Sequence, residues 1–309
     1  MRTVYLNGQF VPESEAKLSI YDLSVMQSAA AFEMTRSFKG IHFRLREHLQ
    51  RLKESCRLLS IPLSEDLYCQ LWGLCLQVGE RNDHGPDEEH RLLIVVSPGC
   101  APMYKDLAGV IPHPFVYIAD FPLRYTVAGF SKYFTEGVHC VTSHIQQVPD
   151  ACIPSAAKHR SRLHFHLAQQ QAPPGTWPLM EYLSTPDYDG NQSSYYAEAP
   201  GANIVYVDTS HRIHTCERMA LPGISLETVK ELTGATPIDE PLFGPEYAKE
   251  LWLTGTPFCM LPVVSLDGKP IGDGQIGPIY KETLAKWSKL VGVDIQEQIC
   301  AWDLVASRS

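Results

Sequence analysis

Apolar and polar positions along this chain recur with two periods, and the switches between them mark most of its elements. VYLNGQFVP, residues 4–12, reads as two short strands around Asn7-Gly8, a pair suited to the left-handed backbone of a two-residue hairpin. SAAAFEMTRSFKGIHFRL, 28–45, offers two strand-like runs separated by Lys39-Gly40. Leu45, Leu49, Leu52, Cys56 and Leu59 then fall at spacings of four and three, with Pro62 just beyond, so a helix with one apolar face is expected. EDLYCQLWGLCLQVGER, 65–81, is a second amphipathic helix. NDHGPDEEH is a polar loop, and RLLIVVSPG and PFVYIADF are buried-strand candidates.

FPLRYTVAGFSKYFTEG shows no clear period and marks a linker over 125–136, between an N-terminal domain (1–124) and a C-terminal domain (137–309). Past it, GVHCVTSH is strand-like and 155–172 is expected to be helical. ANIVYVDTSHRIHT resembles a hairpin turning at Asp208–His211. ISLETVKELTGA is a helix, ELWLTGT and CMLPVVSLDGKPIG are strands, and KETLAKWSKLVG is a closing helix. Strands and helices mixed in two units give an α+β architecture.

Composition narrows the function classes. The 309 residues are 44% hydrophobic, enough for a substantial core, and carry a net charge of −9. An acidic total argues against a general nucleic-acid binder, which needs a broad basic surface. Nine cysteines, an odd number without a C-x-x-C pair, fit reduced thiols and not a disulfide framework. MRTVYLNGQF lacks the apolar core of a signal peptide, and no run of about 18 apolar residues suggests a membrane span. A cytoplasmic protein is expected.

Against that acidic background, IPSAAKHRSRLHFHLA (153–168) concentrates Lys158, His159, Arg160, Arg162, His164 and His166. A solvated basic helix face is the plain reading. No metal is expected: His164 and His166 are two apart, and the i, i+4 histidine pair of zincins is absent. The sharper reading is a Schiff-base lysine. On a helix, Lys158 and Arg162 would be one turn apart, and a neighbouring cation favours the free amine that attacks an aldehyde.

Other segments bear on that choice. YLNGQFVP, FEMTRSFKGIHFRLREHLQRLKES, Lys158, EAPGAN, LPGIS, LTGTPFCMLPV and DGKPIGDGQIGP follow one another in an order that resembles the class IV (fold type IV) pyridoxal-phosphate enzymes. These are the branched-chain aminotransferases, D-amino-acid aminotransferases and 4-amino-4-deoxychorismate lyases. The resemblance runs nearly the whole length. It implies the two-domain type IV fold, with a smaller N-terminal α/β sandwich-like domain and a larger C-terminal pseudo-barrel domain. It also implies pyridoxal 5'-phosphate as cofactor, and a homodimer. By the same resemblance Lys158 holds the cofactor as a Schiff base and shuttles the proton. Glu198, in E-x-x-G-x-N spacing with Gly201 and Asn203, pairs with the pyridine nitrogen and strengthens the ring as an electron sink. Arg51 clamps the phosphate with its planar fork, joined by Gly223, Ile224 and Ser225 at a helix start and by the Thr256 hydroxyl.

Which reaction follows is less sharply marked. EAPGAN and LPVVSLDGKPIGDGQIGP are in the style of the branched-chain enzymes, favouring an amino transfer between a branched-chain or D-amino acid and a 2-oxo acid. KHRSRL instead resembles the lyases, where pyruvate is expelled and p-aminobenzoate left; Leu163 stands where branched-chain enzymes tend to place tyrosine. Pro257 offers no backbone N–H to a substrate carboxylate, a task then passing to a side chain such as Arg36 or Arg162. Ser28, Ala29 and Ala30 replace the family's glycines and would narrow the pocket around Phe32 and Glu33. A cofactor-binding protein that has lost turnover is the third reading.

Overall fold

A computed structural model describes residues 1–306, apart from 83, 86–87, 109–113, 185–187, 235–237, 240–241 and 243. Part of the polar STPDYDGNQ turn and the last residue of ISLETVKELTGA therefore lie outside the described residues. The chain forms two compact units, Met1–Thr126 with Ala157–Arg162, and Val127–Ala156 with Leu163–Ser309.

The first unit is a five-stranded antiparallel sheet covered by two helices. Its strands are β1 (Thr3–Leu6), β2 (Gln9–Pro12), β3 (Ala31–Met34), β6 (His90–Ser97) and β7 (Phe115–Pro122), in the order β2-β1-β7-β6-β3. A two-stranded hairpin, β4 (Ser37–Phe38) and β5 (Ile41–His42), turns at Lys39-Gly40. The short helices α1 (Leu23–Met26), α4 (Lys105–Ala108) and α5 (Arg124–Val127) connect strands. Leu6 pairs with Gln9 across Asn7-Gly8, where both residues have positive φ (45° and 101°), so the expected hairpin is present. The expected helices are α2 (Leu45–Leu58) and α3 (Glu65–Arg81), the latter capped by the Ser64 hydroxyl. Leu45, Leu49, Leu52 and Cys56 of α2 meet Leu71, Cys75 and Val78 of α3 and Leu92, Ile94 and Val96 of β6 in one core. Alternate positions of β6 thus serve the helix-covered face, as strand periodicity requires.

The second unit is built around a curled sheet. Its strands are β8 (Val138–Thr142), β9 (Thr176–Leu183), β10 (Ser194–Ala199), β11 (Ala202–Val207), β12 (Ile213–Thr215), β13 (Ile238–Asp239), β14 (Glu250–Gly255), β15 (Cys259–Leu266) and β16 (Lys269–Pro270). The order β10-β9-β8-β15-β14-β11 closes on itself because β10 also pairs with β11, giving a pseudo-barrel. Both β11 and β14 are buried along their whole length, which explains their uninterrupted apolar runs. Helices α6 (Ser131–Thr135), α7 (Leu163–Gln171), α8 (Ile224–Thr233), α9 (Pro278–Val291) and α10 (Ile295–Ala306) complete the unit. Among the described residues, no helix is long and apolar enough to cross a membrane.

One element differs from expectation. The helix placed over 155–172 begins only at Leu163, so Lys158 and Arg162 do not share a helical face. After a turn at 155–156, residues 158–160 pair with the edge of β3: Phe32 N–H donates to Lys158 O, Arg160 N–H donates to Ala30 O, and Ala31 bridges His159. Backbone groups bound to a strand edge cannot enter helical hydrogen bonds, and the apolar anchors Phe165 and Ala168 that bury α7 occur only later.

Candidate active site

Lys158 is fixed by its backbone before its side chain is considered. Its carbonyl accepts from Phe32, and its N–H donates to Ser55 Oγ of α2 at 3.0 Å. The half-buried ammonium sits 4.8 Å from the Phe32 ring centroid, and the same ring carries Arg160 at 4.2 Å and Arg162 at 5.8 Å. An aromatic face attracts cations, so Phe32, 3% exposed, organises a local basic cluster in an acidic protein.

Strand alternation sends Glu33 to the opposite face of β3, against α2. There Arg51 donates Nε–H to Glu33 Oε1 at 2.6 Å and Nη2–H to Oε2 at 2.9 Å, while His48 Nδ1 lies 2.7 Å from Oε2. Glu33 is completely buried. Burial alone would raise its carboxyl, but Arg51 and His48 outweigh it and hold the pKa well below the usual range. His48 is pushed down from its ordinary value, mainly by burial, with Arg51 and Lys158 adding to the effect against Glu33. Glu33, expected to line a substrate pocket, is here the group that orients Arg51. His48, Arg51 and Ser55 follow at three and four residues along α2, a polar stripe in a helix whose other buried positions are apolar. That stripe could have identified His48 and Ser55 from the sequence. Arg36 belongs elsewhere: it is 1% exposed and stacks 3.9 Å over Phe38, and Arg91 is depressed first by burial and then by the charge of Arg36.

In the second unit the remaining candidates gather at neighbouring strand ends. Glu198, next to the last residue of β10, lies opposite Asn203 of β11, and Asn203 is in turn opposite Thr254 of β14. Glu198 is 6% exposed; Oε1 accepts from Gln147 Nε2 at 2.7 Å and Oε2 from Leu221 N–H at 3.2 Å. Gln147 also donates to Met219 O at 2.9 Å. It lies in an irregular segment with no periodicity, so nothing in the sequence announces it. Asn203 Nδ2 donates to Leu221 O at 2.7 Å, and Gly223 packs so tightly on Asn203 that a Cβ would overlap its Oδ1.

Gly223 is the N-cap of α8 and supplies no side-chain cap, so the first N–H groups, including those of Ile224 and Ser225, form an anion-receptive helix start. Gly201, with φ of +87°, turns β10 into β11, and its carbonyl lies 3.0 Å from where a Gly255 Cβ would stand. Thr256 and Pro257, both half-buried, form the adjoining β14–β15 turn. Thr254 Oγ1 is buried without a hydrogen-bond partner. A cleft of about 630 Å³ is lined by Tyr182, Tyr195, Arg218, Met219, Ala220 and Pro222 among others, Pro222 directly preceding Gly223.

The fold itself is that of the branched-chain aminotransferases. The Escherichia coli branched-chain amino acid aminotransferase superposes with a TM-score of 0.77 at 24% identity, over 94% of each chain. The branched-chain aminotransferase of Thermoproteus uzoniensis, crystallised with norvaline, gives 0.76 at 24% identity over 97% and 98%. The chain belongs to the Amino-transferase class IV family, whose profile matches residues 30–266, and it is accordingly an enzyme of the aminotransferase class. It is 27% identical to the branched-chain-amino-acid aminotransferase of Salmonella typhimurium over 90% of this chain and 89% of that protein. It is 26% identical to branched-chain-amino-acid aminotransferase-like protein 1 of Arabidopsis thaliana, of which it spans 50%.

Proposed function

We propose that this protein moves an amino group between a branched-chain amino acid and a 2-oxo acid using pyridoxal 5'-phosphate, with Lys158 as the amine that binds the cofactor's aldehyde carbon. The observation that carries this reading is the anchoring of Lys158. Hydrogen bonds to β3 and α2 fix its backbone, and its amine stands over an aromatic ring. The donors present also suit this cofactor. A bidentate-held arginine and an uncapped helix start beside a threonine turn match a phosphate; a carboxylate kept in place by two N–H donors matches a ring nitrogen. The orphaned Thr254 hydroxyl adds a buried polar atom with bonding capacity to spare.

When bound, the cofactor supplies an electron sink. The protein's part is to bind, orient and move protons. Lys158 would hold the cofactor through its side-chain nitrogen, and that amine would carry the proton of the substrate's α-carbon. Glu198, held by Gln147 and Leu221, would pair with the ring nitrogen and keep it protonated. Arg51, whose direction is fixed by Glu33, would donate to the phosphate, and Thr256 and the Gly223–Ser225 backbone offer phosphate donors of their own in the second unit. Arg160 and Arg162, gathered on the Phe32 ring, would supply charge for a substrate carboxylate, a role that Pro257 cannot fill through a backbone N–H. Names of the curated relatives favour a branched-chain donor, and D-amino acids remain the second donor class.

The test is spectroscopic. Protein reconstituted with pyridoxal phosphate should show a lysine-linked absorbance band, shifted by amino donors and lost in Lys158→Ala together with turnover. A band that persists in Lys158→Ala would overturn the assignment. Pro257, and Leu163 where a tyrosine is expected, favour a second reading: 4-amino-4-deoxychorismate lyase. Pyruvate released from aminodeoxychorismate with no amino acceptor present would establish that instead.

A further inference from the structure

A cluster unrelated to the cofactor reading lies at the end of the helix-covered core of the first unit. His90 opens β6, and Asp120 of β7 is paired with Leu92, so His90 and Asp120 are diagonal neighbours on one face. His84 reaches the same point from the segment that follows α3. His90 Nδ1 lies 3.1 Å from Asp120 Oδ2, and His84 Nε2 lies 3.4 Å from the same oxygen. The two imidazoles meet edge to face, centroids 4.3 Å apart. Side-chain exposure is 9% for His84, 13% for His90 and 0% for Asp120.

The hydrogen bond between His90 and Asp120 does not satisfy the whole cluster. His84 Nε2 and Asp120 Oδ1 are both buried with no hydrogen-bond partner. Two buried polar atoms of one cluster with bonding capacity unused leave it able to take a ligand. We propose that His84, His90 and Asp120 bind one zinc ion, with solvent completing a tetrahedral set.

The geometry and the donor chemistry agree. Zinc–nitrogen and zinc–oxygen bonds of about 2.0–2.2 Å in a tetrahedron place ligand atoms roughly 3.3–3.6 Å apart. The separations of 3.1 and 3.4 Å lie within a few tenths of that, and all three ligand atoms fall within 4.8 Å of one another. Two imidazoles and one carboxylate are borderline donors that select zinc over magnesium or calcium, which prefer all-oxygen shells. Glu88 and Glu89 precede His90 directly in the chain and add negative charge near a divalent cation. An entry path exists, because His84 also lines a surface cleft with Arg2, Glu13, Arg81 and Asn82.

The ion would brace the turn between α3 and β6. Glu89 in that turn accepts from Ser37 Oγ and from the N–H groups of Lys39 and Gly40, so the brace extends to the β4–β5 hairpin. The spacing of the ligands hides the site in the sequence: His84 and His90 are six apart, and Asp120 arrives only through strand pairing.

Untagged protein, stripped with a chelator and dialysed, should bind one equivalent of zinc chloride by calorimetry. Cobalt(II) in its place should give the intense visible bands of a four-coordinate nitrogen–oxygen site, and zinc should raise the unfolding midpoint. His84→Ala and Asp120→Asn should each weaken binding at least about tenfold, with the cofactor absorbance unchanged. His84→Ala alone decides the matter if Asp120→Asn does not fold, since His84 lies outside the sheet. No uptake at micromolar zinc, or stoichiometric binding that His84→Ala leaves intact, would overturn the proposal.

Discussion

Arg51 presents the Nε–Nη2 edge of its guanidinium to both oxygens of Glu33, at 2.6 and 2.9 Å, across the contact between α2 and β3. With 9% and 0% of their side chains exposed, these residues form a buried pair whose members depend on each other. Removing one partner of such a pair costs about 3–5 kcal/mol, because the other charge stays behind in a dry site. Glu33→Ala should therefore lower unfolding free energy by roughly 3 kcal/mol. It should also weaken cofactor retention, since Arg51 loses its fixed direction. Arg51→Lys keeps the charge but not the fork and should lose retention with a smaller stability cost. Denaturant midpoints and equilibrium dialysis of pyridoxal phosphate separate the two effects; unchanged retention in Glu33→Ala would refute the orienting role.

The same pair contributes to an acid limb. Glu33's folded pKa is depressed below 4.5, so under acid the unfolded chain binds the proton first, and stability present above 4.5 drains away as pH falls. His42 acts earlier. Burial first, then the nearby His90 and His48, push it from 6.5 to about 3, against a smaller pull from Glu89. A depressed histidine gives stability that is complete above 6.5 and is lost on acidification towards 3. Unfolding free energy should begin to fall near pH 6.5 and fall more steeply below 4.5. His42→Gln should flatten the upper part of that limb only. A variant whose limb matched the wild type would show that His42 is not responsible.

How much of this was readable in advance depends on whether neighbours in space are neighbours in sequence. The β1–β2 hairpin, α2, α3 and the fully buried β11 and β14 declare themselves through local period and turn chemistry. The lysine segment does not. Its basic residues fit a helix start, and only the open edge of β3, more than a hundred residues earlier, makes it extended. Likewise Glu33 reads as a pocket acid beside Phe32 until strand alternation sends it to the far face. Gln147 and the His84–His90–Asp120 cluster depend wholly on tertiary placement.

Two glycines set how closely the loops of the second unit approach each other. At Gly255 a Cβ would stand 2.7 Å from the Phe258 ring and 3.0 Å from Gly201 O, which is backbone and cannot swing aside. Gly255→Ala should cost about 1–3 kcal/mol and displace the Thr256 turn. At Gly223 a Cβ would overlap Asn203 Oδ1, so Gly223→Ala must break the Asn203–Leu221 hydrogen bond or shift the α8 start. Both should raise the dissociation constant for inorganic phosphate or pyridoxal phosphate by more than they lower the melting temperature would imply. Thermal scans with titrations decide: an alanine at either site with wild-type affinity would remove that loop from the anion site.

Gln147 tests the role of Glu198 without touching it. Its amide carries two hydrogens, and both are used, one on Glu198 Oε1 and one on Met219 O. Gln147→Leu leaves those buried acceptors short of a donor and should cost about 1–3 kcal/mol. Gln147→Glu asks a sharper question. It places a second carboxyl within hydrogen-bonding distance of the first, and two such groups cannot both ionise cheaply, so one must hold a proton at neutral pH. If Glu198 serves as an ionised partner for a ring nitrogen, Gln147→Glu should lose most turnover and shift the pH dependence of cofactor absorbance, while Gln147→Leu should lower turnover with little change in that profile. A pH profile identical in all three proteins would mean that the Glu198 carboxylate does not report on the cofactor at all.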